Sequence, residues 1–286
     1  ADALERELAI PRVRLINDLE AIAWGIDALN DEDICTLNAG NPDPEGNRAV
    51  IAAGTGLGEA GLCRAGGRWH PFASEGGHAD FAPSDAEQVR LLSWLSDRYG
   101  HVSWERVVSG PGLVELHAFC RERRGEPEPD WLAEADDPAA AISAAALEGR
   151  DEACAEALDI FVRCYGAEAG NQALKHMATG GVYLAGGMAA AISPAWPKRW
   201  PLYLPARRYN SPRAPIRCPP AWRSASRSPF AKGPRRSPST WPDSTSFFTC
   251  ESLTPNCFAS SWMNPFSSSI ATSVLRLLAR NSVKRT

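Results

Sequence analysis

The chain has 286 residues, 44% of them hydrophobic, with 30 Lys and Arg against 34 Asp and Glu. That length suits one large or two modest globular domains, and no run of ~18 apolar residues offers a transmembrane helix. The charged N-terminus lacks a secretory pattern, and eight scattered cysteines without a CxxC pair fit a reduced, cytoplasmic protein rather than a disulfide framework.

The first residue is Ala1 rather than Met, so a preceding segment is expected. Residues 12–30 begin with a strand candidate, "VRLI", which runs through Asn17-Asp18 into "LEAIAWGIDAL". There Leu19, Ile22, Ala23 and Ile26 recur at helical spacing. "NAGNPDPEGN" is a turn-rich link, and "AVIAA" reads as a buried strand. After "GTGLG" come two more short strands around Gly66-Gly67. "SDAEQVRLLSWLSDRYG" predicts a helix with a Ser84/Glu87 capping box, Val89, Leu92, Leu95 and Tyr99 on one face, and Gly100 closing it. A second helix is expected to start near Pro111, to present Leu113, Leu116 and Phe119, and to end at Gly125. Residues 126–137 read as an acidic loop. A long helical stretch follows, broken near Gly149 and resumed at Asp151, and "GGVYLAGGM" reads as a buried strand entering a glycine turn. Strands alternating with helices give an α/β class.

From residue 191 the composition changes. Residues 191–286 hold 15 basic and two acidic residues, which leaves 15 basic and 32 acidic in residues 1–190, so the parts carry net charges of +13 and −17. Fourteen of the 23 prolines lie in this tail, and Gly233 is its one glycine. Such a segment propagates neither helix nor ladder. Two readings compete: a basic nucleic-acid-binding tail, or out-of-frame translation of GC-rich coding sequence. The second is preferred, so no nucleic-acid partner is expected.

The glycine clusters carry the chemistry. "GTGLG" is followed by Glu59, which excludes a Gly-Lys-Ser/Thr phosphate loop, and no helix follows to make a dinucleotide fingerprint. What remains is a hairpin tip. It is either a plain turn or a nest whose backbone N–H groups and Thr55 hydroxyl cradle a phosphate. Asp18 fits either a helix N-cap or a base at a strand end. Glu75 and His78 read as a surface pair or a metal site, although no further ligand cluster follows. Glu105 alone reads as an ordinary helix charge. Together, several carboxylates, an amide and an imidazole suit a polyhydroxylated ligand.

In order, "INDLEA", "GTGLG", "EGGHADFAP", "GHVSWERVVSGPGL" and "GGVYLAGGM" make a specific set. Over about residues 10–190 the chain resembles the bacterial glucokinase family of the hexokinase–actin superfamily, without the zinc motif of the related repressor/open-reading-frame/kinase family. The resemblance implies a two-lobed, ribonuclease H-like α/β fold. It implies ATP- and Mg2+-dependent phosphorylation of the 6-hydroxyl of glucose, and it is compatible with a homodimer. It assigns Asp18 as catalytic base, and Asn17, Glu75, His78 and Glu105 as further sugar contacts. Gly54, Thr55, Gly56 and Gly58 become the second phosphate loop, and Gly186 and Gly187 part of the adenosine site. No residue is assigned to a metal, and no membrane partner is expected.

The family's Asp-Gly-Gly-Thr-Asn-type loop has no counterpart before Asp18, so the small lobe is expected to be incomplete. The implied organisation is a small-lobe remnant at 1–30, a large lobe at 31–190 and a disordered, non-family tail at 191–286. The alternative to a kinase is a non-catalytic sugar-binding remnant or regulator.

Overall fold

The computed structural model describes residues 2–9, 11–30, 33–195, 216–218 and 246–250. Helix α1 (Asp2–Leu8) precedes strand β1 (Val13–Asn17), which runs directly into helix α2 (Asp18–Gly25) and a 3-10 turn, Ile26–Ala28. Asn17, not Asp18, is the N-cap of α2: its side-chain oxygen accepts the N–H groups of Leu19 and Glu20. Leu19, Ala23 and Ile26 are buried, in line with the helical spacing.

Strand β2 (Cys35–Asn38) is followed by the turn-rich link and by strand β3 (Arg48–Ala53). Residues Ala49–Ala53 of β3 are all buried, the pattern of a strand covered on both faces. Strands β4 (Leu57–Ala65) and β5 (Arg68–Ser74) form the hairpin turned by Gly66 and Gly67, at φ 58° and 75°. They are longer than expected because β4 starts at the "GTGLG" tip itself.

Helix α3 (Ala86–Tyr99) begins one residue later than expected. Asp85 is its cap, accepting from Gln88 N–H, and the Gln88 side chain accepts in return from the N–H and hydroxyl of Ser84. The reciprocal box therefore uses Gln88 rather than Glu87. Glu87 instead pairs with Arg123 and Arg163. The buried face is Gln88, Leu91 and Leu95, while Val89 and Tyr99 are exposed. Gly100 closes the helix at φ 72°.

The short helix α4 (Trp104–Val107) leads to α5 (Gly110–Arg124), with Pro111 in its first turn, Leu113, Leu116 and Phe119 buried, and a left-handed Gly125 at its end. The acidic loop contains one turn of helix, α6 (Asp130–Ala133). Helices α7 (Pro138–Glu148) and α8 (Glu152–Lys175) flank Gly149, with Asp151 capping α8. Strand β6 (Gly181–Ala185) runs into α9 (Gly186–Ala191), so the expected glycine turn is the start of a helix. Cys35, Cys63, Cys120, Cys154 and Cys164 are free.

Two further strands are described, β7 (Ile216–Cys218) and β8 (Ser246–Cys250). Both fall inside residues 191–286, the segment expected to be disordered and to form no ladder; after residue 195 the rest of it lies outside the described residues.

The chain divides into two compact units, residues 1–28 with 222–286, and residues 29–221. In the first, β1 and β8 pair antiparallel. The second holds a six-stranded mixed sheet in the order β2-β7-β6-β3-β4-β5, with β3, β6 and β7 parallel. Its core packs β3 and β6 against α8, and α8 in turn against α5 and α7. Each fully buried Leu there, such as Leu113 or Leu116, contributes about 1.5–3 kcal/mol.

Candidate functional site

The tip between β3 and β4 is built by glycine. Gly54 N–H donates to Gly56 O at 2.8 Å, and Gly54 O accepts the N–H of Gly110, the first residue of α5, at 2.7 Å. Leu57 N–H donates to Glu105 Oε2 at 2.9 Å. A Cβ on Gly56 would stand 2.5 Å from that same carboxylate oxygen, whereas at Gly54 it would meet open space. Gly54 thus spends its N–H inside the turn and offers a ligand its bare Cα face. Thr55 is exposed at the tip. The 15-residue helix α5 starts against this turn, which brings the partial positive charge of its N-terminus beside the tip.

The second glycine cluster is locked to the "HVSWE" segment. Phe81 N–H donates to Val102 O at 2.9 Å and Trp104 N–H to Ala79 O at 3.0 Å, and Asp80 bridges Ser103. The buried rings of Phe81 and Trp104 meet edge to face at 5.0 Å. Before this clasp, the turn Gly76–His78 follows β5, with Gly76 N–H on Ser74 Oγ. A Cβ on Gly77 would strike the Leu57 carbonyl, so the "GTGLG" strand and the "EGGH" turn touch backbone to backbone.

The clasp places His78 between two carboxylates. Its Nε2 is 3.8 Å from Glu75 Oε2 and its Nδ1 is 3.9 Å from Glu105 Oε1. These are ion-pair rather than hydrogen-bond distances. Glu75 and His78 are exposed and Glu105 is half-buried. The array offers a ligand two carboxylate acceptors and an imidazole. Glu105, expected to look like an ordinary helix charge, joins it to the phosphate-loop candidate.

Because β3 and β6 are parallel, Ala53-Gly54 and Ala185-Gly186 reach the same carboxyl edge of the sheet, where α/β folds bind ligands. Gly186, at φ 83°, lies so close to Ala53 that a Cβ would collide with its carbonyl. Gly187 is exposed and open beside it. Beneath them the buried Tyr165 hydroxyl lies 3.3 Å from Ala53 N and 3.2 Å from both Ile51 O and Ala185 O. It ties the two strand ends together.

Asn17 and Asp18 belong to the other compact unit. Asn17 is exposed and Asp18 half-buried as the first residue of α2, its Oδ1 accepting Leu19 N–H at 2.9 Å.

Sequence reasoning did not single out Glu59, a carboxylate buried directly after "GTGLG". The available signal was a charge inside the apolar first part of the strand, Leu57–Leu62. It also passed over His117, Asp151 and Cys154, whose ligand atoms cluster within 4.8 Å. Arg121 already occupies that cluster, donating to His117 Nε2 at 3.2 Å and to Asp151, so a cation there would meet a guanidinium.

Residues 1–198 match the family model described as Glucokinase. Over 209 residues the chain is 44% identical to a glucokinase of Nostoc sp. (strain PCC 7120), covering 68% of this chain and 61% of that one. It is 45% identical over 210 residues to a glucokinase of Synechocystis sp., covering 68% and 59%. The chain thus spans about three fifths of the length of these relatives. A solved glucokinase from an Antarctic psychrotroph superposes with a TM-score of 0.60 at 31% identity, over 71% of this chain and 62% of that one. A Balamuthia mandrillaris glucokinase, solved in complex with glucose, shares the fold at a TM-score of 0.60 and 22% identity, over 72% and 61%. The expected α/β class and family are both borne out: the chain belongs to the glucokinase family.

Proposed function

We propose that the protein belongs to a hexose kinase that transfers the γ-phosphoryl group of ATP to the 6-hydroxyl of glucose. The observation that carries this reading is the sharing of Glu105 between the Glu75–His78 turn and the Gly54–Gly58 hairpin. A sugar held by the first stands beside a phosphate held by the second. Glu75, His78 and Glu105 accept from and donate to ring hydroxyls, with Asn17 as a further contact. Asp18 orients and deprotonates the attacking hydroxyl, help worth roughly 10²–10⁴ in rate.

The open Cα face of Gly54 and the adjoining N-terminus of α5 fit a nucleotide's phosphates. Gly54, Thr55, Gly56 and Gly58 would hold them, and Gly186 and Gly187 would line the adenosine. Bound with magnesium, ATP supplies the phosphoryl group with part of its charge already offset. The protein's own contribution is positioning and electrostatics.

Among the described residues no helix is long and apolar enough to cross a membrane. The test is a coupled assay for glucose 6-phosphate with Mg-ATP and glucose. It is run on the 286-residue chain, where little or no turnover is expected, and on the chain preceded by a segment that carries the Asp-Gly-Gly-Thr-Asn-type loop, with and without Asp18→Ala. The variant is expected to lose at least ~100-fold in turnover while glucose affinity changes far less. Equal turnover in the variant reduces Asp18 to a structural residue of α2. Glucose binding with no turnover in the extended parent chain moves the reading to a non-catalytic sugar-binding protein.

A further inference from the structure

Glu59 is 1% exposed, and the "EGGH" turn rests on it. It pairs across the ladder with Ser74, whose hydroxyl accepts Gly76 N–H, and a Cβ on Gly76 would strike Glu59 Oε2. From α8, Gln172 Nε2 donates to Glu59 Oε2 and also, at 2.9 Å, to Glu168 Oε1. Glu168, fully buried, further accepts from Asn171 Nδ2 at 2.8 Å and faces Lys175 Nζ at 3.4 Å. Glu168 therefore has three donors and Glu59 one. Among the described residues, Glu59 Oε1 and Gln172 Oε1 meet no donor at all. Two buried carboxylates face one half-exposed ammonium, which leaves a net negative charge out of reach of water, a costly state unless one carboxyl keeps a proton.

We propose that Glu59 is the neutral, protonated acid of this pair and the positioning residue for the turn that carries Glu75 and His78. A proton there removes the excess charge and supplies the missing donor to a cluster with two undonated oxygens and a second carboxylate. Burial, reinforced by Glu168, raises the Glu59 carboxyl to about 8, with Lys175 pulling the other way. Among the described residues the charged groups that act on it are Glu168 and Lys175 from α8, while Glu75 and His78 flank Gly76 on the turn it supports. Its ladder partners, Ile51 on β3 and Ser74 on β5, bring none. Ionisation would set a second charge against Glu168, and the carboxylate would have to turn or draw in water. Either movement removes the surface under Gly76. The consequence for hexose affinity rests on the function proposed above; the state of the turn does not.

The experiment compares the whole chain with Glu59→Gln, which keeps the shape and cannot ionise. Hydrogen exchange over residues 74–79, corrected for the intrinsic rate, is followed at about pH 6 and about pH 10, on either side of the shifted titration. Protection of this turn in the parent chain is expected to fall at least about tenfold at the higher pH, while Glu59→Gln keeps it. An infrared carbonyl band of a protonated carboxyl should be present in the parent at the lower pH and missing from the variant. Glucose affinity should follow the protection. No protonated band in the parent, or an equal loss of protection in both proteins, overturns the proposal. Exchange within residues 110–124 reports whether the variant folds; if it does not, the parent's band and its own pH-dependent protection decide. If band and protection behave as expected and glucose binds at neither pH, the hexose reading fails and the role of Glu59 in the turn stands.

Discussion

Glu105 Oε2 accepts the backbone N–H of Leu57 at 2.9 Å. Its other oxygen, Oε1, stands 3.9 Å from His78 Nδ1, so one side chain serves both halves of the candidate site. Glu105→Gln can still accept from Leu57, yet it turns an amide N–H₂ toward His78 where an acceptor stood. Glucose affinity is expected to drop at least about tenfold, the cost of losing a charged hydrogen-bond partner. Glu105→Ala also strands the Leu57 N–H, so it should weaken nucleotide as well as glucose. Calorimetric titration of each variant with glucose and with a non-hydrolysable ATP analogue separates the two. Unchanged glucose affinity in both variants would leave Glu105 as a brace for the hairpin alone.

The two glycines at the tip make opposite demands. At Gly56 a Cβ would press on Glu105 Oε2, while at Gly54 it has room. Gly56→Ala should therefore lower stability and weaken both ligands. Gly54→Ala should leave the unfolding midpoint nearly unchanged and, on the proposed phosphate site, weaken the nucleotide selectively, because the added methyl would cover the open Cα face. A Gly54→Ala variant with parental affinity for the ATP analogue would remove that face from the phosphate site.

Tyr165→Phe tests the tie below the site. The hydroxyl can accept from Ala53 N–H and donate to one carbonyl at a time, Ile51 O or Ala185 O. Its removal from a fully buried position should cost about 1–3 kcal/mol in urea unfolding, since buried backbone groups lose their partner. A cost near zero would mean that the strand ends are held by the ladder alone.

Much of this was legible in the sequence because the signals were local. Gly100, Gly125 and Gly149 close helices at positive φ where the patterns stop, and "INDLEA" and "GTGLG" sit on the strand-to-helix step and the hairpin tip expected of them. The failures came where long-range partners decide. Glu87 fits a capping box by spacing, but Arg163, 76 residues away, takes it, and Gln88 fills the role. The buried face of α3 is likewise chosen by what α3 packs against, which leaves Val89 outside. Glu105 looks ordinary until the fold sets it against Leu57, 48 residues earlier. Glu59 stands out in the sequence only as a charge among apolar strand residues, because its role depends on Glu168 and Gln172 across the core.

The pH dependence of stability follows from shifts of opposite sign. Burial disfavours the charge of Glu87, but Arg123 and Arg163 outweigh it and hold its pKa below the ordinary 4.5. For Asp151, burial is likewise outweighed, by the N–H of Cys154 and by Arg121. Groups depressed in this way stabilise the fold above their unfolded pKa, and that stability is lost as pH falls through the folded one. His117 and His176, lowered mainly by burial, are neutral in the fold, so they too make stability fall as pH drops below about 6.5. Glu59 runs the other way. Raised from 4.5 to about 8, it binds a proton in the fold that the unfolded chain has released, so stability falls as pH climbs through that interval. The histidines of the unfolded chain are half protonated at pH 6.5 and largely neutral only above about pH 7, and the thiols, whose ordinary value is 9.0, release few protons below about pH 8. Between about pH 7 and 8 Glu59 makes the largest contribution to the slope among the shifted groups of the described residues. Urea midpoints of the parent chain should therefore decline from about pH 7 to about pH 8 relative to those of Glu59→Gln, in which the histidine contribution is the same and the Glu59 one is missing. A parent chain whose midpoint is flat or rising there relative to the variant's, or a variant that declines in parallel with it, would mean that Glu59 is ionised in the folded protein and that Lys175 balances both carboxylates.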